Sequence, residues 1–470
     1  MAFNSFPYLI FLLIALFFYY SSRKLLQQQW ILIISSLVFI SWFNLASAVA
    51  ILALTLCNYY NLRALQRAGE TKKQHYYYAG IILNASILLA YKILQDIFSH
   101  QLLFTTGFNN SKWILLGIGF YTLQLIGYYI EVFKNRKQFN FTLTEFAIGV
   151  IFFAKVPSGP ILQLRESALT ENERKTFSEE NFAAGIQRLL LGIFKKVALA
   201  DRLAQYVNGL FDSHGYLTGF HIYIAPILFT IQLYFDFSGY IDMAVGTARL
   251  FGIRLPENFA IPLRATSIAE FWRRWHITLV NWLKQYIFFP VSYRYRKFKI
   301  RGVVIAVVVT FLVSAAWHGL AITFFIWAAC HFIYLAIEAN VKLPYRKSPV
   351  VHILRIFWVW NLVAFSHLFF RAHSLTDVHL MLNAIRELPF WIPEGSNFKT
   401  WLINGGRDIE YENNYRFAIA LSLAYLAFEK WFNRKANSNK YSVGYVALLL
   451  VLIVALGIFN VGARFIYFQF

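Results

Sequence analysis

The stretch GVVIAVVVTFLVSAAWHGLAITFFIWAACHFIYLAI, residues 302–337, contains no Asp, Glu, Lys or Arg. One crossing of a bilayer needs about 20 apolar residues, so this run is long enough for two segments that meet at a break. Gly319, near the middle of the run, is the residue expected to supply that break. The stretch therefore predicts two membrane helices joined close to its centre.

A histidine, His318, stands directly before this glycine and after Trp317. An ionisable side chain at membrane depth is costly unless it is hydrogen-bonded or used, so it is interpreted as functional by default. The alternative is a hydrogen bond between helices, which polar residues commonly make inside membrane bundles. His331 lies in the same run without a neighbouring glycine, and for it we favour the structural interpretation.

The composition of the chain extends this membrane interpretation to its whole length. Of 470 residues, 58% are hydrophobic and only 14% are charged. Apolar stretches recur from Tyr8 to Ile466, which no soluble domain of this size could bury. The first stretch, residues 7–20, is followed by Arg23 and Lys24 instead of a cleavage site, so we expect a retained helix rather than a signal peptide.

The formal charge of +21 does not indicate nucleic-acid binding, because the basic residues are dispersed among short loops. Counting crossings between the loops places the basic clusters on one side, predicted to be cytoplasmic, with the N-terminus and the C-terminus outside. The two cysteines, Cys57 and Cys330, lie in apolar segments, so we expect neither a disulfide framework nor a metal site. The basic clusters are Arg23 and Lys24; Arg63, Arg67, Lys72 and Lys73; Lys134, Arg136 and Lys137; residues 294–301; Lys342, Arg346 and Lys347; and residues 430–440.

We expect an all-α polytopic membrane protein with roughly 11–13 transmembrane or re-entrant helices in a single integral-membrane domain, residues 1–470. Within it we distinguish N-terminal helices (1–140), a core that contains the candidate functional residues (141–345) and C-terminal helices (346–470) with an outer loop at 373–414. Residues 152–160, FFAKVPSGP, contain two prolines and a glycine, which a straight helix does not tolerate. They predict an irregular re-entrant turn, which must be buried in protein or line a cavity.

A second motif, SIAEFWRRWHITL, covers residues 267–279. Ser267 and Glu270 have capping-box spacing, which predicts a helix start just before Phe271. In a continuous helix His276 would share an apolar face with Trp272. His276 is therefore either a site residue or a structural hydrogen-bonding group on an interfacial helix.

Charged residues in apolar surroundings form a third set of candidates. Asp236 could orient a histidine and stabilise its imidazolium form, or it could pair with an arginine such as Arg249 or cap a broken helix. Lys195 and Lys196 could face a phosphate-bearing donor on the cytoplasmic side, or they could be a snorkelling basic pair.

Together these segments resemble the membrane-bound O-acyltransferase family, and within it the bacterial polysaccharide branch. The resemblance covers most of the chain, and its order is specific, with the RRWH block upstream of WHG. Its motifs are residues 117–122, 158–160, 192–201, 234–242, 256–259, 270–276, 317–319, 369–372 and the ending 465–470.

The resemblance implies a bundle around a central funnel or tunnel, in which His318 is required for acyl transfer and His276 is a second catalytic candidate. Residues that could orient these histidines or bind substrate are Asp236, Asn258, Arg273, Arg274 and Trp317. On this basis His318 would be the general base for an acceptor hydroxyl. His276 would bind or polarise the acyl group or the acceptor.

The implied function is O-acetylation of an exported polysaccharide by an enzyme of the bacterial inner membrane. The resemblance implies acetyl-CoA as the donor substrate and no bound cofactor. It also implies a periplasmic or extracellular esterase-like partner that completes transfer to the sugar. D-alanyl transfer to teichoic acid from a thioester carrier protein is the alternative within the family. A proton-coupled transporter is the alternative from another class, although we find none of the internal repeats typical of transporters.

Overall fold

The computed structural model describes residues 1–102, 116–134, 138–167, 169, 173–212, 219–341, 348–387, 412–459 and 465–466. Every regular element in this part of the chain is helical, and strands are absent from it. The central portion of the predicted outer loop, residues 388–411, lies outside the described residues, as do Lys342, Arg346, Lys347 and the last four residues.

The helices follow one another through short connections. They are α1 (Phe6–Ser21), α2 (Leu25–Phe43), α3 (Leu45–Arg67), α4 (Glu70–Leu102), α5 (Ile118–Phe133), α6 (Leu143–Ile151), α7 (Glu179–Phe194), α8 (Asp201–Asp212), α9 (Gly219–Leu250), α10 (Ile268–Arg274), α11 (Ile277–Leu283), α12 (Phe289–Arg294), α13 (Ile300–His318), α14 (Ile322–Asn340), α15 (Pro349–Arg371), α16 (Leu375–Glu387), α17 (Glu412–Ala436) and α18 (Val443–Leu456). Single π-helical turns, Lys195–Ala200 and Lys284–Phe288, follow α7 and α11.

Seven described helices are long and apolar enough to cross a membrane: α2, α3, α4, α9, α13, α14 and α15. Two further helices, α1 and α18, are apolar but shorter. The chain is an all-α polytopic membrane protein, as the sequence predicts. The expected break at Gly319 is confirmed, because α13 ends at His318 and α14 begins at Ile322.

Helix α9 forms the centre of the bundle. Within its apolar window 83% of the residues are buried, compared with 17–44% in the other six candidate spans. Its closest neighbour is α7, and the two backbones approach each other at Gly192 and Gly239. A Cβ atom at Gly192 would lie 2.5 Å from the carbonyl oxygen of Gly239. Only glycine at this point allows the two helices to pack so closely.

Residues 152–163 have no helix and are almost completely buried. Three of their backbone amides donate to side chains from other elements, and such bonds let irregular backbone lie inside a membrane protein. The amide of Phe153 donates to Ser36, that of Ser158 to Tyr240, and that of Ile161 to Thr278. This agrees with the predicted irregular turn and places it against α2, α9 and α11.

Candidate active site

His318 is the last residue of α13 and is only 5% exposed. Aromatic rings surround its imidazole, with ring centroids 4.7–6.3 Å away. A site of this kind admits little water, which strengthens electrostatic interactions with a bound substrate. The four rings belong to Trp317, Phe324, Trp327 and Phe370.

The helix break after His318 depends on the small size of Gly319. Its backbone is extended, a conformation open to any residue, so conformational freedom is not the reason for a glycine here. A Cβ atom at this position would lie 2.4 Å from Cε2 of Phe324. Gly319 therefore lets the Phe324 ring pack against the chain immediately beyond the histidine.

The indole ring of Trp317 contacts both His318 and the second candidate histidine, His276. Its ring centroid lies 4.7 Å from that of His318 and 6.2 Å from that of His276. Its indole Nε1 donates to the carbonyl oxygen of Gly119 at 3.0 Å. The two histidines predicted to be catalytic therefore flank one indole ring, which α5 holds in place.

His276 lies between two helices, so the predicted continuous helix through residues 267–279 is wrong. Helix α10 starts after the N-cap Ser267, as the capping box predicts, but it ends at Arg274. His276 then adopts a left-handed conformation with φ of 45° and ψ of 52°. This conformation costs about 1–2 kcal/mol for a residue other than glycine, so the surrounding structure must enforce it.

Asn258 provides that enforcement. Its carbonyl oxygen accepts from the amide of Ile277 at 2.9 Å. Its side-chain Oδ1 accepts from both the amide and the hydroxyl of Thr278, at 3.0 and 2.9 Å. Asn258 is fully buried, and it supplies the acceptors that an unbroken helix would have provided.

The same side chain determines the tautomer of His276. Nδ1 of the imidazole lies 3.3 Å from Asn258 Oδ1. The backbone amide of Thr278 can only donate, so the atom facing it must be the amide oxygen rather than the amide nitrogen. Nδ1 must then carry the proton in this contact, which leaves Nε2 of the neutral ring with the lone pair.

Asp236 does not orient a histidine, and that prediction is wrong. One carboxylate oxygen accepts from Lys196 Nζ at 2.7 Å, and the other accepts from the amide of Ile466 at 2.7 Å. The proposed alternative, a pair with Arg249, is also absent, since Arg249 donates to Asn439. Asp236 instead connects the π-helical turn after α7 to the end of the chain.

Lys195 and Lys196 are buried in ion pairs, so neither the donor-facing nor the snorkelling prediction holds. Lys196 pairs with Asp201 at 2.8 Å as well as with Asp236, and Lys195 pairs with Asp242 at 2.7 Å. The sequence could not reveal these pairs, because the π-helical turn that aims both ammonium groups inward is not a recognisable local pattern.

Arg273 and Arg274 also lie away from the histidines. Arg273 is exposed, and Arg274 pairs with Glu270 at 2.6 Å. Burial alone would raise the pKa of Glu270, but hydrogen bonds from Thr266 and the charge of Arg274 outweigh it and lower this pKa. These contacts stabilise the start and end of α10. Neither arginine contacts His276 or His318.

His331 has the structural role that its sequence context favours. The indole of Trp272 donates to its Nδ1 at 3.3 Å, so Nε2 carries the proton and donates to Ser366 Oγ at 3.0 Å. The hydroxyl of Ser366 in turn donates to Val363. Both ring nitrogens thus take part in a chain of hydrogen bonds linking α10, α14 and α15.

A row of polar residues on α5 was missed by the sequence analysis. Gln124, Tyr128 and Glu131 are all buried and follow helical spacing. Gln124 accepts from the ammonium group of Lys155 at 2.9 Å. One turn earlier on the same helix, Phe120 contacts the rings of His276 and Trp317. The sequence does contain a signal for this row, because polar residues at helical spacing in an otherwise apolar helix indicate a functional face.

The structure therefore brings together His318, Trp317, His276 and Asn258, and it separates them from the other predicted candidates. Among the described residues, no group of three or more His, Cys, Asp and Glu side chains is placed to hold a metal ion. The assembled cluster contains two imidazoles and a buried amide, which suit proton transfer and hydrogen bonding to a reacting acyl group.

Comparison with known proteins gives a consistent result. A family model described as the membrane-bound O-acyltransferase family matches residues 135–376. A probable alginate O-acetylase of Pseudomonas syringae is 32% identical over 373 residues, which cover 77% of this chain and 70% of the relative. A peptidoglycan O-acetyltransferase of Helicobacter pylori is 30% identical over 75% of this chain and 73% of the relative. A teichoic acid D-alanyltransferase of Bacillus subtilis is 29% identical over 46% of this chain and 56% of the relative.

Proposed function

Because the chain belongs to the membrane-bound O-acyltransferase family, we propose that this acyltransferase moves an acetyl group from cytoplasmic acetyl-CoA across the membrane to acetylate an exported polysaccharide. The observation that carries the proposal is the buried cluster in which Trp317 contacts both His318 and His276. Its position, at the end of an apolar helix and inside the bundle, is where a hydroxyl can be activated away from water.

In the proposed reaction His318 is the general base. As neutral imidazole it accepts the proton of the acceptor hydroxyl while that oxygen attacks the carbonyl carbon of the acetyl thioester. A C–O bond forms and the C–S bond breaks. The departing thiolate then takes the proton from the imidazolium, which returns His318 to its neutral form. General-base assistance of this kind contributes about 10²- to 10⁴-fold to the rate.

His276 has a complementary role in this mechanism. With its Nδ1 proton donated to Asn258, the neutral ring presents Nε2 as an acceptor. It can therefore bind a hydroxyl or amide hydrogen of a substrate, but it cannot polarise the acyl carbonyl unless it is protonated. We propose that His276 holds the acceptor hydroxyl or the acyl donor in position next to His318.

The donor side of the reaction is assigned to the cytoplasm. The protein is a multi-pass membrane protein, and we place it in the bacterial inner membrane with both termini outside, because its basic clusters then face the cytoplasm. Helix α5 runs from Phe120, beside the histidines, to Phe133, next to the basic residues from Lys134 onward. Its buried row of Gln124, Tyr128 and Glu131 supports a polar route for the amide-rich arm of acetyl-CoA.

The acceptor side is assigned to the opposite face of the membrane. Two relatives carry names that specify O-acetylation of alginate and of peptidoglycan. We propose a periplasmic or extracellular esterase-like partner that completes transfer to the sugar. We assign its docking to residues 388–414 of the predicted outer loop, which follow α16 (Leu375–Glu387).

D-alanyl transfer to teichoic acid is the second candidate, because a relative with that name shares 29% identity with part of this chain. It would use the same histidines but a thioester-charged carrier protein at the cytoplasmic face. The peptidoglycan and alginate relatives match a larger share of this chain, which favours the acetyl group.

The test is mass analysis of cell-surface glycan from cells with the wild-type protein, without it, and with His318→Gln. We expect acetyl esters to disappear in the second and third cases, and isotope from labelled acetyl-CoA to reach the glycan only with the wild type. Loss of D-alanyl esters instead would select the alternative. Wild-type acetylation by a correctly assembled His318→Gln protein would overturn the mechanism.

A further inference from the structure

A buried lysine from the N-terminal helices meets the backbone of His318. Lys92 lies within the apolar span of α4 and is 5% exposed. Its Nζ donates to the carbonyl oxygen of His318 at 2.9 Å and to Gln95 Oε1 at 3.4 Å. Among the residues whose side chains the structure describes, which exclude residues 96–115, no carboxylate lies within ion-pair distance of this ammonium group. A lysine at membrane depth that donates to a backbone carbonyl group of another helix calls for a specific role.

The contact is an unusual form of helix capping. The last four carbonyl groups of a helix have no partner within that helix, and together they carry the negative end of its dipole. His318 is the final residue of α13, so its carbonyl is one of these groups. A cation supplied by another helix satisfies this carbonyl and complements the dipole, and it does so more strongly in an apolar interior than in water.

The location of the capped carbonyl gives the contact its functional meaning. It belongs to the same residue as the proposed general base, and the chain leaves the helix immediately afterwards at Gly319. On one side of this point, Trp317 is held by its bond to Gly119. On the other side, Lys92 is the side chain that holds the backbone of His318.

We propose that Lys92 is a positioning residue for acyl transfer, which fixes the end of α13 and thereby the location of the His318 imidazole. The inference rests on the proposed catalytic role of His318, but not on the identity of the donor or acceptor. Displacement of a reacting group by about 1 Å can cost on the order of 10²-fold in rate. Loss of the Lys92 contact therefore acts on the chemical step rather than on substrate binding.

The test compares Lys92→Met, which keeps the length of the side chain without its charge, with Lys92→Arg, which restores a cationic donor. Lys72→Met, at an exposed position of the same helix, is the matched control. With purified protein in lipid nanodiscs and acetyl-CoA as varied substrate, we expect Lys92→Met to lower kcat by about 10- to 100-fold. KM should stay within about twofold, Lys92→Arg should recover most of the loss, and Lys72→Met should equal the wild type.

A second measurement does not require turnover, so it separates this proposal from the assignment of the donor. Diethyl pyrocarbonate acylates accessible imidazole nitrogens, and peptide mass analysis gives a rate for each histidine. We expect Lys92→Met to change the modification rate of His318 severalfold while that of the exposed His352 stays constant. An unchanged His318 rate overturns the proposal, as does a Lys92→Met protein with wild-type kcat. A loss explained entirely by less folded protein, at unchanged specific activity, also overturns it.

Discussion

The side-chain oxygen of Asn258 lies 3.3 Å from Nδ1 of His276 and also accepts two hydrogen bonds from Thr278. One buried amide therefore sets both the left-handed backbone at His276 and the nitrogen that carries its proton. The arrangement resembles the way a carboxylate or carbonyl orients a catalytic histidine in other enzymes.

Asn258→Leu should lower acetyl transfer by at least about 10²-fold, because the imidazole loses the acceptor that fixes its tautomer and position. It should also destabilise the protein, since each buried donor left without a partner costs about 1–3 kcal/mol. Asn258→Asp keeps an acceptor and should retain more folded protein. Rates per folded molecule, measured after size-exclusion chromatography, separate the two effects. A wild-type rate in folded Asn258→Leu would contradict the assignment.

His318→Gln should remove transfer by about 10²- to 10⁴-fold while leaving the protein folded, because glutamine has similar size but no titratable nitrogen. His331→Gln should chiefly lower the unfolding temperature, since His331 bridges Trp272 and Ser366. His352→Gln, at an exposed position, serves as the control. Initial rates in membranes and thermal unfolding in detergent give the two readouts. The interpretation fails if His331→Gln is the variant that loses activity at unchanged stability.

Much of the fold could be predicted because its signals are local. The length of the apolar run 302–337 and the glycine within it predict α13, α14 and the break between them. Two prolines and a glycine in residues 152–160 predict irregular backbone, and the capping box at Ser267 predicts the start of α10. Each signal depends on residues only a few positions apart, so one sequence contains all the necessary information.

The failures concern partners that are distant in sequence. Helical periodicity placed His276 on a continuous helix, whereas Asn258, well upstream in the chain, breaks that helix by taking over its hydrogen bonds. The partners of Asp236 could not be predicted either, because both are distant in the sequence. Lys196 lies in the π-helical turn after α7, and the amide of Ile466 lies near the C-terminal end of the sequence. The role of Lys92 could not be predicted for the same reason, because the carbonyl group that accepts its hydrogen bond belongs to His318 in α13.

Asp236→Asn tests the revised role of this carboxylate. Breaking a buried ion pair by removing one partner costs about 3–5 kcal/mol, and Asp201, which also pairs with Lys196, should reduce this loss. We expect a clearly lower unfolding temperature and little change in kcat per folded molecule. A collapse in kcat at unchanged stability would instead restore the prediction that Asp236 orients a catalytic histidine.

Glu270 gives a pH dependence with a definite sign. Its pKa in the folded protein is lowered from the ordinary value of 4.5, because hydrogen bonds from Thr266 and the charge of Arg274 outweigh the effect of burial. A carboxyl group of this kind contributes stability above its unfolded pKa and loses that contribution as the pH falls through its folded pKa. Glu270→Gln should therefore lower the unfolding temperature at pH 7, by an amount equivalent to about 0.3–1 kcal/mol. The difference from wild type should shrink as the pH falls below 4.5. A difference that grows on acidification would contradict this sign.

Gly319→Ala tests the packing that ends α13. The added Cβ would lie 2.4 Å from Cε2 of Phe324, and because the backbone is extended, steric overlap is the only penalty. Overpacking of this size costs about 1–3 kcal/mol. It should also lower kcat, because His318 directly precedes Gly319 and would be displaced with it. Phe324→Ala removes the clashing ring but leaves a cavity.

The double variant Gly319→Ala/Phe324→Ala should therefore be less destabilised than the sum of the single variants, with a coupling of about 0.5–3 kcal/mol. Thermal or denaturant unfolding in detergent measures the coupling. Strict additivity would mean that the two residues do not meet, and the glycine would then need another explanation. Recovery of kcat alongside the stability coupling would tie the position of the His318 imidazole directly to the packing beyond the break.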